Sequence, residues 1–230
     1  MSSRRISYIA EFVGTAFLLM IVVGSGIMGE RLAQGNTAVT LLVNSLATGA
    51  GLFVLIQCLG PISGAHLNPV VSLVDFFGGR LDRRGLFFYC FSQFLGAVVG
   101  IWIAHIMFDQ SIIQISTRDR LGLNLWISEV IATLGLISTI ILTRRHRPES
   151  TPMSVAAYIT AAYWFTSSTS FANPAATLAR MFTNTFCGIS PAGVAPFVIA
   201  QIAGASLILI FLKNGRGDWN VITQRNLSFS

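Results

Sequence analysis

Long, unbroken apolar runs dominate the chain, with little of the alternation that a soluble fold would show. Tyr8 to Met28, Thr37 to Leu59, Leu86 to Phe108, Leu123 to Thr143, Met153 to Phe171 and Ala195 to Leu212 each approach or exceed the ~20 apolar residues that cross a hydrocarbon core as a helix. They predict six crossings. Two further apolar stretches, Leu67 to Phe77 and Ala175 to Phe182, are too short to span but long enough for two or three helical turns. An Asn-Pro pair opens each, Asn68-Pro69 and Asn173-Pro174. Proline suits a first helical turn, where its missing N–H costs nothing, and asparagine before it is a favoured cap. The lead-in segments, residues 60–66 and 166–172, are rich in Gly, Ser and Thr, as extended backbone would be. The expected fold is an all-α membrane protein: six transmembrane helices plus two re-entrant half-helices, in one channel domain over residues 1–230.

Polar residues inside the apolar runs recur in a fixed order. Glu11-Phe-Val-Gly-Thr15 is echoed by Glu129-Val-Ile-Ala-Thr133, Asn68-Pro69-Val70 by Asn173-Pro174-Ala175, and Gln93-Phe-Leu-Gly96 by Gln201-Ile-Ala-Gly204. Residues this costly in lipid are not scattered by chance. Each half, about residues 6–108 and 123–213, holds three crossings. Because three is odd, the second copy enters from the opposite side, which makes an inverted repeat.

Composition agrees: 53% of the 230 residues are hydrophobic and 10% charged, with a mean hydropathy of +0.69. The net charge of +6 does not mark a nucleic-acid surface, because the basic residues are placed by topology. Six crossings put eleven of the fifteen, including Arg80, Arg144, Arg145, Lys213, Arg216 and Arg225, on one side, and Arg31, Arg118, Arg120 and Arg180 on the other. That bias predicts cytoplasmic termini. Arg4-Arg5 before an apolar run also suits a secretory signal, but the run is too long and lacks a small-x-small cleavage site, so it reads as the first spanning helix. Cys58, Cys90 and Cys187 have no paired spacing for a disulfide framework or metal site and read as packing residues. No nucleophile–base pair, metal-ligand spacing or phosphate loop is found, so an enzyme is not expected, and no cofactor.

By the inverted symmetry the half-helices aim their N-termini at one point of a pore near mid-bilayer. There their positive dipole ends repel cations, and the Asn68 and Asn173 amides donate to one water oxygen, breaking a proton wire. Glu11 and Glu129 read as buried acceptors for the loop N–H groups rather than as a proton relay. Gln93 and Gln201 read as interhelical hydrogen bonds beside close contacts at Gly96 and Gly204. His66, next to the first box, is a loop anchor or a pH-sensitive gate, with anchoring preferred.

These motifs, together with Ser63-Gly-Ala-His-Leu-Asn68 and Ala10-Glu-Phe-Val-Gly-Thr15, resemble the aquaporin (major intrinsic protein) family over about Tyr8 to Leu212. The resemblance implies a homotetramer with one pore per protomer, passing water or small neutral solutes down a gradient through a bacterial inner membrane. Asn-Pro-Val in place of Asn-Pro-Ala adds two methyl groups at the first turn. The family usually carries arginine directly after the second box, at the narrow outer constriction, and here that position is Ala176.

Carried over by spacing from the boxes, the other constriction positions are Thr48, Ala161 and Ser170, with Ala162, Tyr158 or Phe165 replacing Ala161 if the register slips. The expected selectivity filter, Thr48, Ala161, Ser170 and Ala176, lacks both arginine and a bulky aromatic and should be wide. Arg180, four residues past Ala176, either lines a vestibule or snorkels to the interface or a loop carboxylate. A wide filter resembles the aquaglyceroporins associated with arsenic resistance, for which uncharged arsenite fits, while glycerol, urea, boric acid and water stay open. The competing readings are an ion-coupled transporter and a non-conducting structural protein of the same fold.

Overall fold

The computed structural model describes residues 3–214; Arg216 and Arg225, used above in the charge bias, lie outside the described residues. The elements run α1 (Ser3–Ala33), α2 (Thr37–Ser63), α3 (Pro69–Phe77), α4 (Arg83–Met107), α5 (Leu123–His146), α6 (Thr151–Phe165), α7 (Pro174–Ala179) and α8 (Pro191–Asn214). Short 3₁₀ turns precede α6 (Pro148–Ser150) and prolong α7 (Arg180–Phe182). Six of these helices are the expected crossings and α3 and α7 are the half-helices.

The fifth crossing differs from expectation. α1, α2, α4, α5 and α8 are each long and apolar enough to span. α6, expected over Met153 to Phe171, has only 15 residues, about 22 Å of helix against a hydrocarbon core of about 30 Å. Its helix stops at Phe165, where the chain turns at residues 166–169 and continues as non-helical backbone, left-handed at Thr169, Ser170 and Ala172, to Asn173.

Local chemistry sets the other boundaries. Asn36 caps α2 by accepting from the Ala38 and Val39 N–H groups, and Asp82 caps α4 by accepting from Gly85. Gly64, at φ 86°, ends α2 in the left-handed conformation.

The packing is built twice. α1 lies against α4 and α2, and α5 lies against α8 and α6, with α2 closing on α6. Backbone contact is close at Gly96 and its equivalent Gly204, and also at Gly100. A Cβ on Gly96 would sit 2.2 Å from the Phe12 carbonyl oxygen, one on Gly100 2.1 Å from that of Ala16, and one on Gly204 2.4 Å from that of Val130. Such approach replaces a hydrophobic driving force, which lipid does not supply. The outward faces are correspondingly apolar, with Phe87, Phe91, Ile199 and Phe211 all more than half exposed.

Candidate functional site: a cavity between two half-helices

One carboxylate anchors each loop, and the two anchors match atom for atom. Glu11 and Glu129 are fully buried. Glu11 Oε1 accepts from Ser63 Oγ (2.6 Å) and the His66 N–H (2.9 Å), and Oε2 accepts from the Leu67 N–H (2.7 Å) and Gln93 Nε2 (2.8 Å). Glu129 repeats this with Ser168 Oγ (2.6 Å), the Phe171 N–H (2.9 Å), the Ala172 N–H (2.8 Å) and Gln201 Nε2 (2.6 Å). Gln93 also donates to Ser72 Oγ and Gln201 to Thr177 Oγ1, hydroxyls in the first turn of each half-helix. Carboxylate, loop, half-helix and partner helix are thereby tied into one unit in each half.

The carboxylates hold a backbone that would not hold itself. Gly64, Ala65 and Leu67 have φ of 86°, 45° and 50°, and Thr169, Ser170 and Ala172 have 61°, 48° and 47°. A non-glycine residue in this region costs roughly 1–2 kcal/mol, and charge-assisted hydrogen bonds offset it. The left-handed turns let successive N–H groups converge on the carboxylate and turn the Leu67 and Ala172 carbonyls toward the opposite loop.

The two units join through the asparagines. Asn68 Oδ1 accepts from the Val70 N–H, and Asn173 Oδ1 from those of Ala175 and Ala176. Each amide also donates across the join: Asn68 Nδ2 to the Ala172 carbonyl and Asn173 Nδ2 to the Leu67 carbonyl, both at 2.8 Å. An amide nitrogen carries two N–H groups, so one on each asparagine remains for whatever occupies the space between them. Pro69 and Pro174 hold the first helical position, and Val70 and Ala175 are buried behind it.

Asn68 and Asn173 both line a cavity of about 810 Å³ that extends past both half-helices. At its α7 end it is lined by Thr48, Tyr163, Ser170, Phe171, Ala176 and Arg180; at its α3 end by His66, Asp75, Arg80, Arg144 and Arg145. Glu11 and Glu129 are not among its lining residues.

Ala161 is a correction: it is exposed on the outer side of α6 and does not line the cavity. Of the α6 residues that line the cavity, Thr151, Val155, Ile159 and Tyr163 recur every four positions and form one stripe, with Pro152 beside its first turn. Residue 161, two from the stripe, faces away. Counting back from Asn173 misplaced it because residues 166–172 form a turn followed by left-handed backbone, which does not preserve helical phase. Tyr163 takes its place, so the lining is not free of aromatics; its hydroxyl lies 3.2 Å from Thr48 Oγ1.

Arg180 is 4% exposed and lines the cavity. It neither snorkels nor meets a carboxylate: its Nε donates to the Cys187 carbonyl, and its guanidinium carbon lies 3.3 Å from the centroid of the Phe171 ring. Arg120, in the α4–α5 connection, stacks on the same ring at 4.9 Å while donating to the Gly188, Ser168 and Phe186 carbonyls. Burial, and then the like charge of Arg180, push the Arg120 guanidinium down to about 10, which leaves it charged at neutral pH.

The other end is an ion-pair cluster that sequence reading did not find. Asp75, 5% exposed, accepts from His66 Nε2 (2.9 Å), from Arg144 Nη1 (3.0 Å) and from Arg80. His66 Nδ1 lies 3.0 Å from Ser72 Oγ, so both ring nitrogens are engaged. Its backbone N–H is among those held by Glu11. The offset of 105 residues between the asparagines pairs Asp75 with Arg180 and His66 with Phe171, a signal present in the sequence.

The comparisons fit this arrangement. The family model for the major intrinsic proteins matches residues 2–170. The chain is 49% identical over 205 residues to the aquaglyceroporin AqpS of Rhizobium meliloti (strain 1021), covering 89% of this chain and 88% of that one. It is 29% identical over 134 residues to aquaporin-5 of Homo sapiens, covering 58% of this chain and 47% of that one. Among solved structures, the aquaglyceroporin from Plasmodium falciparum superposes with a TM-score of 0.68 at 20% identity, covering 92% of this chain and 96% of that one. These matches over most of its length place the chain in the major intrinsic protein family, the membrane channels for water and small solutes.

Proposed function

We propose that the protein is a passive channel whose outer constriction admits uncharged solutes larger than water, with arsenite, As(OH)3, as a preferred solute and glycerol and urea as companions. The observation that carries this reading is Ala176: it faces the cavity with a single methyl group, where the resemblance leads one to expect arginine. Thr48 and Ser170 add two small hydroxyl residues to the same end, and the Tyr163 hydroxyl is turned to Thr48. A solute bearing several hydroxyls meets donors and acceptors there. The likeness to an aquaglyceroporin supports the same solute class.

Within this reading Asn68 and Asn173 set the midpoint, His66 anchors the inner loop, and Glu11 and Glu129 are scaffold. An ion-coupled transporter would need a titratable group facing the solute at mid-membrane, and both glutamates lie off the cavity with their four acceptor sites filled. The protein works as a homotetramer in lipid, in the bacterial inner membrane, with both termini cytoplasmic as the eleven-to-four distribution of basic residues favours.

Stopped-flow swelling of proteoliposomes in arsenite, glycerol and urea gradients tests the reading. The parent should swell in all three, and Ala176→Arg should cut these fluxes sharply while retaining water flux. Equal glycerol and arsenite flux in a correctly assembled Ala176→Arg protein would overturn the wide-constriction account.

A further inference from the structure

We infer that Arg180, seated on the Phe171 ring, is the charge filter of this pore, and that the protein separates its charge barrier from its size barrier by one helical turn. The inference deepens the channel reading above and rests on it. Ala176 and Arg180 are four residues apart and both line the α7 end of the cavity. The first leaves cross-section free; the second brings a fixed positive charge to the same wall, about 6 Å further along the axis.

Three features make Arg180 a working group rather than a structural one. Its guanidinium uses only Nε on the protein, donating to the Cys187 carbonyl; among the described residues no hydrogen bond from Nη1 or Nη2 and no carboxylate partner is found. Two of its nitrogens are thus left for a solute in a water-poor space. Next to it, the buried Ser170 hydroxyl on the cavity wall has no hydrogen-bond partner. A donor pair and an unclaimed hydroxyl on the wall of one cavity suit a small polyhydroxyl solute, and the positive charge refuses a cation.

The third feature is how the charge is held. A desolvated cation over an aromatic face is attracted by the ring, and Phe171 is itself fixed, by its N–H on Glu129 Oε1 and by edge contact with Phe197 at 5.2 Å. The guanidinium is therefore held over a ring that is itself fixed. The inverted repeat shows that this is not a requirement of the fold. At the equivalent positions of the other end the repeat has a carboxylate and an imidazole, Asp75 with His66, and Arg80 and Arg144 are paired to that carboxylate, so the arginine over an aromatic ring has no counterpart there.

The test uses the full chain in proteoliposomes, reading proton leak with an internal pH dye under a potassium–valinomycin potential and sodium leak by flux. Arg180→Ala and Arg180→Gln, the latter able to keep a donor on the Cys187 carbonyl, should each raise both leaks by about tenfold or more, because a like charge within a few ångströms in a low-dielectric site changes a barrier by at least that factor. Arg180→Lys should keep the leaks low. The double variant Arg180→Ala/Ala176→Arg should restore tightness to cations but pass glycerol more slowly than the parent, since charge and size barriers then coincide. Parent-like leak in both uncharged variants, or a double variant as leaky as Arg180→Ala, would overturn the inference. Water and glycerol swelling of the parent reports on the channel reading by itself, independently of these leak ratios.

Discussion

Replacing Glu129 distinguishes a scaffold from a proton relay, and the structure sets the size of the effect. Its two oxygens accept four hydrogen bonds, from Ser168 Oγ, the Phe171 and Ala172 N–H groups and Gln201 Nε2, inside a site with no solvent exposure. In Glu129→Gln the remaining carbonyl can stand in for one oxygen, while the new NH2 faces two donors, the Ala172 N–H and Gln201 Nε2. Hydrogen bonds to charged groups are worth about 1.5–3 kcal/mol each, so losing two costs roughly 3–6 kcal/mol. Gln201 can recover one, since its Oε1 has no partner in the parent and turning the amide over would let it accept from the new NH2, but the turn gives up the Nε2 bond to Thr177 Oγ1. With the Ala172 N–H orphaned and that neutral bond lost, the net cost is roughly 2–4 kcal/mol. Glu129→Ala orphans two buried backbone N–H groups and two side-chain donors with no recovery, which exceeds the margin of many folded proteins. Thermal unfolding in detergent should therefore rank parent above Gln above Ala, with solute flux falling in the same order and no change in its pH dependence. A Glu129→Gln protein as stable as the parent, with flux that has lost a pH dependence the parent shows, would refute the scaffold account and revive coupling.

Three further outcomes follow from particular contacts. Asn68→Asp and Asn173→Asp each replace an amide that donates 2.8 Å across to the opposite loop's carbonyl with a carboxylate that cannot; both should destabilise the join and admit sodium, and undiminished cation exclusion in both would count against the dipole account. Gly96→Leu and Gly204→Leu put carbon within 2.2 Å and 2.4 Å of the facing backbone oxygens, so both should lose folded yield on size-exclusion chromatography, whereas Gly60→Leu, whose added carbon meets nothing within 4 Å, should not. Tyr163→Ala should raise glycerol and arsenite swelling rates by removing the aromatic from the α7 end of the cavity, while Ala161→Phe, on the outer side of α6, should leave those rates at the parent level.

The repeat was readable because glutamate, asparagine and glutamine are too costly in lipid to recur in one order by accident. Glu11 and Glu129 each had one inexpensive reason to be there, and the structure shows the donors that supply it. Gly96 and Gly204 were equally plain: small residues in spanning helices mark close backbone approach. Ala161 failed for a physical reason. A count back from Asn173 assumes that helical phase carries through residues 166–172, but three of them sit at positive φ, and extended, left-handed backbone has no fixed phase against the helix before it. The stripe Val155, Ile159, Tyr163 was the better guide, because phase within one helix is preserved.

Arg180 was undecidable for a different reason. An arginine near the end of a re-entrant helix has a flexible stem long enough to reach the interface, a loop carboxylate or the pore, and residue spacing does not choose among them. The choice is made by tertiary structure: Glu129 draws in the Phe171 N–H, which turns the ring to where the guanidinium can lie on it, and the Cys187 carbonyl takes Nε. The same carboxylate that braces the loop thus places the charge, so bracing and selection at this end of the cavity are one structural unit. Substituting Glu129 should then disturb the Arg180 site as well as stability, whereas substituting Glu11, whose loop presents His66 to the Asp75, Arg80 and Arg144 cluster, should leave the Arg180–Phe171 contact and its share of cation exclusion in place.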